Sequence, residues 1–420
     1  MRTGKRFISA LVLGLSMFIC LTSALADPYA ILHNFGATGD GTQPYYGGPA
    51  LSGSTLYGMT QGGGTPTGGM TSGVLYKINT DGTGYEVLHN FYNNPDTGDG
   101  TVPRGGLTLS GSTLYGCCEY GGTPYIRTYG TVFKINTDGT GYQVIHNFWQ
   151  DTNNQCNPYG APVVSGSRLY GMNVSSLTGL KGEIFAMNTD GSAFQVLHEF
   201  AGKPDDGATP YGSLTLVGSR LYGMTYTGGH NGIDGGGSGY GVIFAIDTDG
   251  NNYQVLHHFE GFPSDGRHPY GALTLVGSKL YGMTSSAGPG GGGVIFSINL
   301  DGSGYQVILD FSIASGYSTG GPFGSLTLWG SKFYGLTSAG GPGGASGVIF
   351  RVNPDGTGFQ ILHSFKYDQG DGGMPLGDVT FAGSRLFGWT YANGTYNGGV
   401  FFSLQPPSAD TGMLQLLLLQ

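Results

Sequence analysis

Six of the nine histidines occupy one position of an internal repeat: His33, His89, His146, His198, His257 and His363. Imidazoles that recur in this way could be metal ligands if the fold brought them together, since a metal needs its donors about 2 Å from one centre. Their context argues against it. Each ends a short apolar segment that reads as the outermost strand of its unit, so the rings should be spread around a rim. Alternation would put Tyr253, Val255, His257 and Phe259 on one face, against a neighbouring unit. We expect packing and hydrogen bonding there, with no metal; the sixth unit has Leu309 at this position.

The acids also recur. Asp81, Asp138, Asp190, Asp249, Asp301 and Asp355 each precede a glycine, a strong hairpin signal. Asp247-Thr248-Asp249-Gly250-Asn251 reads like the start of an EF-hand loop, but His258 stands where that loop needs its glutamate. A turn is the expectation, calcium the alternative, and no other cofactor is implied. A second set, Asp40, Asp99, Asp206, Asp265 and Asp371, opens the pattern Asp-Gly-x-x-Pro. Two units replace it, with Gln155-Cys156-Asn157-Pro158 and with Ser318 to Pro322. These carboxylates would either form an acidic ring that takes cations or sugar hydroxyls, or fix the turn into the next strand.

Symmetry breaks in two loops. The segment Cys117–Tyr129 carries Glu119, Tyr120, Tyr125 and Arg127, and Tyr226–Tyr240 carries His230 and Asp234. Aromatic and polar groups on loops held by a rigid scaffold suit carbohydrate or peptide recognition. Glycoside hydrolysis would need a carboxylate pair. Beyond residue 26 the glutamates are Glu86, Glu119, Glu183, Glu199 and Glu260, and only Glu119 and Glu260 fall in the long loops. No phosphate loop and no Ser/His/Asp signature is present.

The elements that must position these residues come from the repeat. In the fifth unit, Ala272–Leu275 is strand a and Leu280–Thr284 is strand b. Gly293–Asn299 is strand c, and Tyr305–Phe311 is strand d. The a–b turn has glycine first, as a type II′ hairpin requires. The glycine inside strand b leaves room for a large ring or another backbone. The turn glycines are Gly53, Gly111, Gly166, Gly218, Gly277, Gly330 and Gly383, which counts seven units. A d-strand, Ala30–Phe35, precedes the first unit, and the last a–b–c set lacks one. Such ends complete one another. We therefore expect an all-β, seven-bladed β-propeller of four-stranded antiparallel blades, the last closed by the N-terminal strand. The variable b–c and d–a loops should share its top face.

Residues 1–26 read as a secretory signal peptide, with Arg2, Lys5 and Arg6 before an apolar run and Ala24-Leu25-Ala26 at its end. The propeller would span 27–405 and a Leu-rich tail 406–420, too short for a membrane span. We expect an extracytoplasmic monomer. Removing the leader takes the net charge from −9 to −12, which argues against nucleic acid as a partner. Cys117 or Cys118 could pair with Cys156, leaving one thiol over.

The phrase Gly-Val-Ile-Phe-x-x-Asn-x-Asp-Gly-x-Gly-Tyr-x-Val-Leu-His-x-Phe resembles the GloVer tandem repeat of secreted bacterial proteins over about residues 29 to 404. The resemblance implies an exported repeat protein and assigns no activity. Our expectation is a scaffold that binds a carbohydrate or protein ligand on its top face. The alternatives are a glycan-active hydrolase or lyase and a structural envelope or matrix protein.

Overall fold

The computed structural model describes residues 28–65, 71–92, 98–122, 129–148, 157–174, 181–230, 238–312, 320–367 and 370–407. The leader, Tyr125, Arg127, Asp234, Cys156 and the tail beyond 407 lie outside them. The described residues form seven four-stranded antiparallel sheets, the blades of a propeller. In blade 5 the strands are Thr274–Val276 (a), Lys279–Met283 (b), Val294–Asn299 (c) and Gln306–Asp310 (d), paired in that order. Blade 7 uses Thr380–Ala382, Arg385–Trp389 and Val400–Leu404, and the N-terminal strand Tyr29–Asn34 pairs with the last of these as its strand d. Gly277 has φ +60° and Ser278 does not share it, as a type II′ turn requires. A methyl group on Gly282 would lie 2.4 Å from the Phe296 ring, so glycine there makes room for the aromatic of strand c.

Strand a lines the axis. Thr215, Thr274 and Thr327 each donate Oγ1 to a carbonyl of the next blade, those of Leu273, Leu326 and Val379, at 2.6 Å. Thr380 closes the belt onto Pro49 at 2.7 Å. Between blades lie apolar seams of buried residues from both sides. Phe200, Leu214 and Phe244 pack in one, and Phe259, Leu273 and Phe296 in the next.

Strand d departs from simple alternation. In every blade the c–d pairing shifts register at the same place, and blade 1 shifts a second time near Thr71. Phe244 faces Val255 while Ile243 faces His257, so Leu256 is the extra residue of a bulge. The bulge turns the strand over partway along. Tyr253 and Val255 pack back toward blade 3, whereas Leu256 and Phe259 pack forward toward blade 5. The four side chains expected on one face are thus divided two and two.

That division builds a repeated strut. His198 of blade 3 stacks on Tyr253 of blade 4, with centroids 3.5 Å apart, and both rings bond the Asp206 carboxylate (His198 at 3.0 Å, Tyr253 at 2.5 Å). The backbone N–H groups of Ala201 and Gly207 complete its acceptor shell. The same strut joins His33, Asp40 and Tyr85; His89, Asp99 and Tyr142; and His257, Asp265 and Tyr305. His363 bonds Asp371 and stacks on Tyr29, whose hydroxyl takes the Asp371 carbonyl instead. The two units without the Asp-Gly motif carry Phe194 and Phe359 where the others carry the tyrosine, and the ring packs on His146 or Phe311. Where the carboxylate is missing, so is the hydroxyl that would need it.

Candidate functional site

The sequence-predicted residues separate into two places. Asp40, Asp99, Asp206 and Asp265 are buried in the struts, and Asp371 is half-buried in the fifth. Their oxygens face His and Tyr donors between blades and form no acidic ring at the channel mouth. His230 is exposed on the blade 4 b–c loop, away from the axis. The turn aspartates are exposed at the c–d hairpins, where Asp301 accepts from the N–H and hydroxyl of Ser303. Those two bonds, the hydroxyl's foremost, hold its carboxyl below the usual range. Among the described residues, no three His, Cys, Asp or Glu side chains are arranged to hold a metal ion. Cys117 and Cys118 are buried, and burial pushes the Cys117 thiol up to about 12. Glu119 and Tyr120 do lie at the mouth.

The d–a and b–c connections meet on one face in two-residue ribbons, such as Gly207–Ala208 paired with Thr227–Gly228 and Gly100–Thr101 with Tyr120–Gly121. Each of the five Asp-Gly motifs then places a non-glycine residue in the left-handed region: Gln43, Val102, Thr209, His268 and Met374, with φ between 51° and 60°. Bonds on both sides hold that strain. The Thr209 N–H donates to Lys181 of the preceding blade, and its carbonyl accepts from Tyr226. A proline follows, and then the residue that reaches the axis, with Tyr45 interposed in the first unit.

At that position the blades present Tyr46, Arg104, Tyr159, Tyr211, Tyr270, Phe323 and Leu376, each followed by glycine. The glycines meet edge to edge. A methyl group on Gly160, Gly212, Gly271, Gly324 or Gly377 would fall 2.1–2.3 Å from the carbonyl oxygen of the next blade's glycine, so no side chain fits. The aromatics above them form a collar. Tyr211 stacks on Tyr270 at 4.6 Å, Tyr270 meets Phe323 edge-on, and Tyr159 meets Tyr211 edge-on. Tyr46 reaches across to Tyr159, Tyr270 and Phe323. Tyr45, Tyr226 and Tyr391 extend the surface outward. Below lies a void of about 30 Å³ faced by Asp378, room for water but not for a sugar ring. Burial pushes the Asp378 carboxyl up.

Blade 2 breaks the collar. Arg104 replaces the aromatic and lies over the Tyr45 and Tyr159 rings, 4.8 and 5.4 Å from their centroids. Its Nε donates to Glu119 Oε2, and its Nη1 donates to the Tyr159 hydroxyl at 3.1 Å. Burial pushes the Glu119 carboxyl up, against the opposing pull of Arg104. Burial also raises the Tyr46, Tyr159 and Tyr270 hydroxyls far above the tyrosine range, so they remain neutral O–H groups. The collar was missed in the sequence, although its signal was there: a proline, a large residue and a glycine in every d–a loop, the large residue aromatic in five of seven units.

The three histidines outside the repeat converge on the blade 4 loop. His268 stacks on Tyr226 and its Nδ1 bonds the Tyr226 carbonyl at 2.9 Å. His230 stacks on His258 at 3.8 Å and lies 3.5 Å from Glu260. Burial lowers both His258 and His268 below the usual histidine range, and the neighbouring His230 adds to this at His258. Their neutral forms belong to the folded loop. That stabilisation is complete above the unfolded pKa of about 6.5 and is lost as pH falls toward the depressed folded values. Hydrogen exchange corrected for intrinsic rate should therefore be several-fold faster for Tyr226–His230 at pH 5 than at pH 7.5, and equal protection at both would refute the arrangement.

The sequence pattern of the Gloeobacter/Verrucomicrobia repeat matches residues 20–235 and 232–417. No curated protein sequence matches. Among solved structures, the chain is similar to an oligogalacturonate lyase from Vibrio parahaemolyticus (13% identity, 91% of this chain and 94% of that one, TM-score 0.54). It is similar to an oligogalacturonate lyase in complex with manganese (12%, 88% and 90%, 0.52) and to a nidogen/laminin complex (15%, 70% and 89%, 0.43). At these identities the likeness is one of fold. No helix among the described residues is long and apolar enough to cross a membrane.

Proposed function

This chain belongs to the Gloeobacter/Verrucomicrobia repeat family, and from that premise we propose that its blades are an exported scaffold whose collar binds a carbohydrate chain. One observation carries this reading. Five aromatic rings meet at the axis of the top face and three more extend them outward, around a single Arg–Glu pair. A pyranose offers an apolar C–H face and a rim of hydroxyls. The tyrosines, half-buried except for the more deeply buried Tyr159, match both, with a ring to stack on and a hydroxyl to bond. The narrow void beneath keeps the ligand at the mouth. The collar's one carboxylate among the described residues, Glu119, is engaged by Arg104, which supports binding over hydrolysis by a carboxylate pair.

The test is a polysaccharide array on the purified chain, followed by titration of any hit and analysis for products. Tyr159→Ala and Tyr270→Ala should each weaken binding about 30-fold, the loss of an aromatic anchor worth about 2 kcal/mol. Trp329→Ala, outside the collar, should bind as the parent does. Release of cleaved product would replace this reading with an enzyme. A protein ligand captured with no glycan bound would replace it with a protein-interaction site.

A further inference from the structure

We propose that the collar selects neutral saccharides and rejects polyuronates and sulfated glycans, and that Glu119 sets this choice by occupying Arg104. The inference rests on the carbohydrate reading above and adds the ligand's charge class.

A site for an anionic sugar holds a cation whose charge is free to meet it. Among the described residues, the permanently charged cation within the collar is Arg104. Its Nε is already bonded to Glu119, and one Nη to the Tyr159 hydroxyl. The two side chains are only 22% and 11% exposed, so solvent screens their mutual attraction weakly. On the neighbouring rim Arg267 lies over the Tyr240 ring and donates Nε to Ser286 Oγ, and His268 uses Nδ1 on the Tyr226 carbonyl and lies flat on that ring. Neutral groups stand beside them. Gln61 reaches Gln43 and Tyr391 through its amide, and the tyrosine hydroxyls stand beside the rings. A chain with net charge −9 adds a field that repels polyanions at low ionic strength. Arg104 therefore serves as a flat surface continuous with Tyr45 and Tyr159, its charge cancelled, while its spare N–H groups bond sugar hydroxyls.

The experiment is calorimetric titration of the intact chain, at low and at physiological salt. The probes are neutral oligosaccharides (cello-, xylo- and manno-oligosaccharides) and oligogalacturonates of equal length. The parent chain should prefer a neutral series by at least about tenfold. Glu119→Gln uncovers the Arg104 charge and should raise oligogalacturonate affinity about tenfold, with a steeper salt dependence. The double variant Arg104→Gln/Glu119→Gln, neutral at both positions, should bind the neutral series more weakly, having lost the Arg104 surface and its N–H groups, and gain no uronate binding. Thermal melts establish that each variant is folded. Oligogalacturonate binding by the parent as tight as the neutral series, or a folded Glu119→Gln chain with an unchanged preference, overturns the charge assignment and leaves the carbohydrate site standing. Absence of binding to every glycan overturns the carbohydrate site itself.

Discussion

Deleting Tyr29–Phe35 should leave a chain that aggregates or unfolds below physiological temperature. The segment supplies the whole outer strand of blade 7, paired with Val400–Leu404 across five register positions. It also supplies two seams. Phe35 is fully buried against Tyr76, and Tyr29 stacks on His363 beside Phe365 and Phe402. Removing a buried Phe alone costs about 3–5 kcal/mol. Losing the Tyr29 packing and the strand ladder as well should exceed the 5–15 kcal/mol that a folded domain typically has in hand. The exposed edge of Val400–Leu404 would then pair with other chains. Size-exclusion chromatography and a thermal melt read the result; an unchanged monomer peak and melting temperature would show that the ring does not depend on this closure. Regrafting tests the same point in reverse. A copy of Asn353–Gly358 after Leu404, followed by the missing strand, rebuilds the ordinary c–d hairpin and should restore the melt.

Asp206→Ala should cost about 3–5 kcal/mol, because it leaves four donors, most of them at least partly buried, without their acceptor. His198, Tyr253 and the N–H groups of Ala201 and Gly207 all bond this one carboxylate. The chain itself suggests the rescue. Adding Tyr253→Phe copies what Phe194 and Phe359 do in the two seams without an aspartate, so the double variant should recover part of the loss in a double-mutant cycle. Strict additivity would mean that the hydroxyl and the carboxylate do not depend on one another. The same group gives an acid signature. Burial raises the Asp206 carboxyl, but the bonds from His198, Tyr253 and the Ala201 N–H outweigh it and bring it below the usual aspartate range. Its contribution is present above the unfolded pKa of about 3.9 and is lost as pH falls through the lower folded value. Chemical denaturation across that window should show Asp206→Ala and the parent chain converging.

The architecture was legible because its signals are local and repeated. Seven turn glycines count the blades, and the stray strand Ala30–Phe35 announces the closure. The histidines were also legible as packing residues of the outer strand. Their direction was not. A bulge adds one residue at Leu256 without disturbing the apolar pattern, so alternation alone could not show that Tyr253 and His257 reach opposite neighbours. The aspartates of Asp-Gly-x-x-Pro invited a functional reading because acids on loops usually face water. Here the outer-strand histidine and the next blade's tyrosine draw them inward. The collar was hidden for the opposite reason. Its aromatics recur in five of the seven units, as scaffold residues do, and only the ring makes the seven equivalent positions converge on one axis. Glu119 was found because it breaks the repeat, whereas Arg104 stands in a short segment that looks unremarkable until its neighbours come from blades 1 and 3.

The closing strand has a further consequence for how the ring bears load. Tyr29 pairs with Leu404, so both ends of the propeller leave blade 7 side by side. Tension applied between them does not shear the whole ladder at once. It pulls the two strands apart like the halves of a zip, from Tyr29 and Leu404 toward Asn34 and Val400, one bond at a time. A ring that heat must melt through seven seams together can therefore be opened by a modest pull at a single joint, with the other six blades still folded.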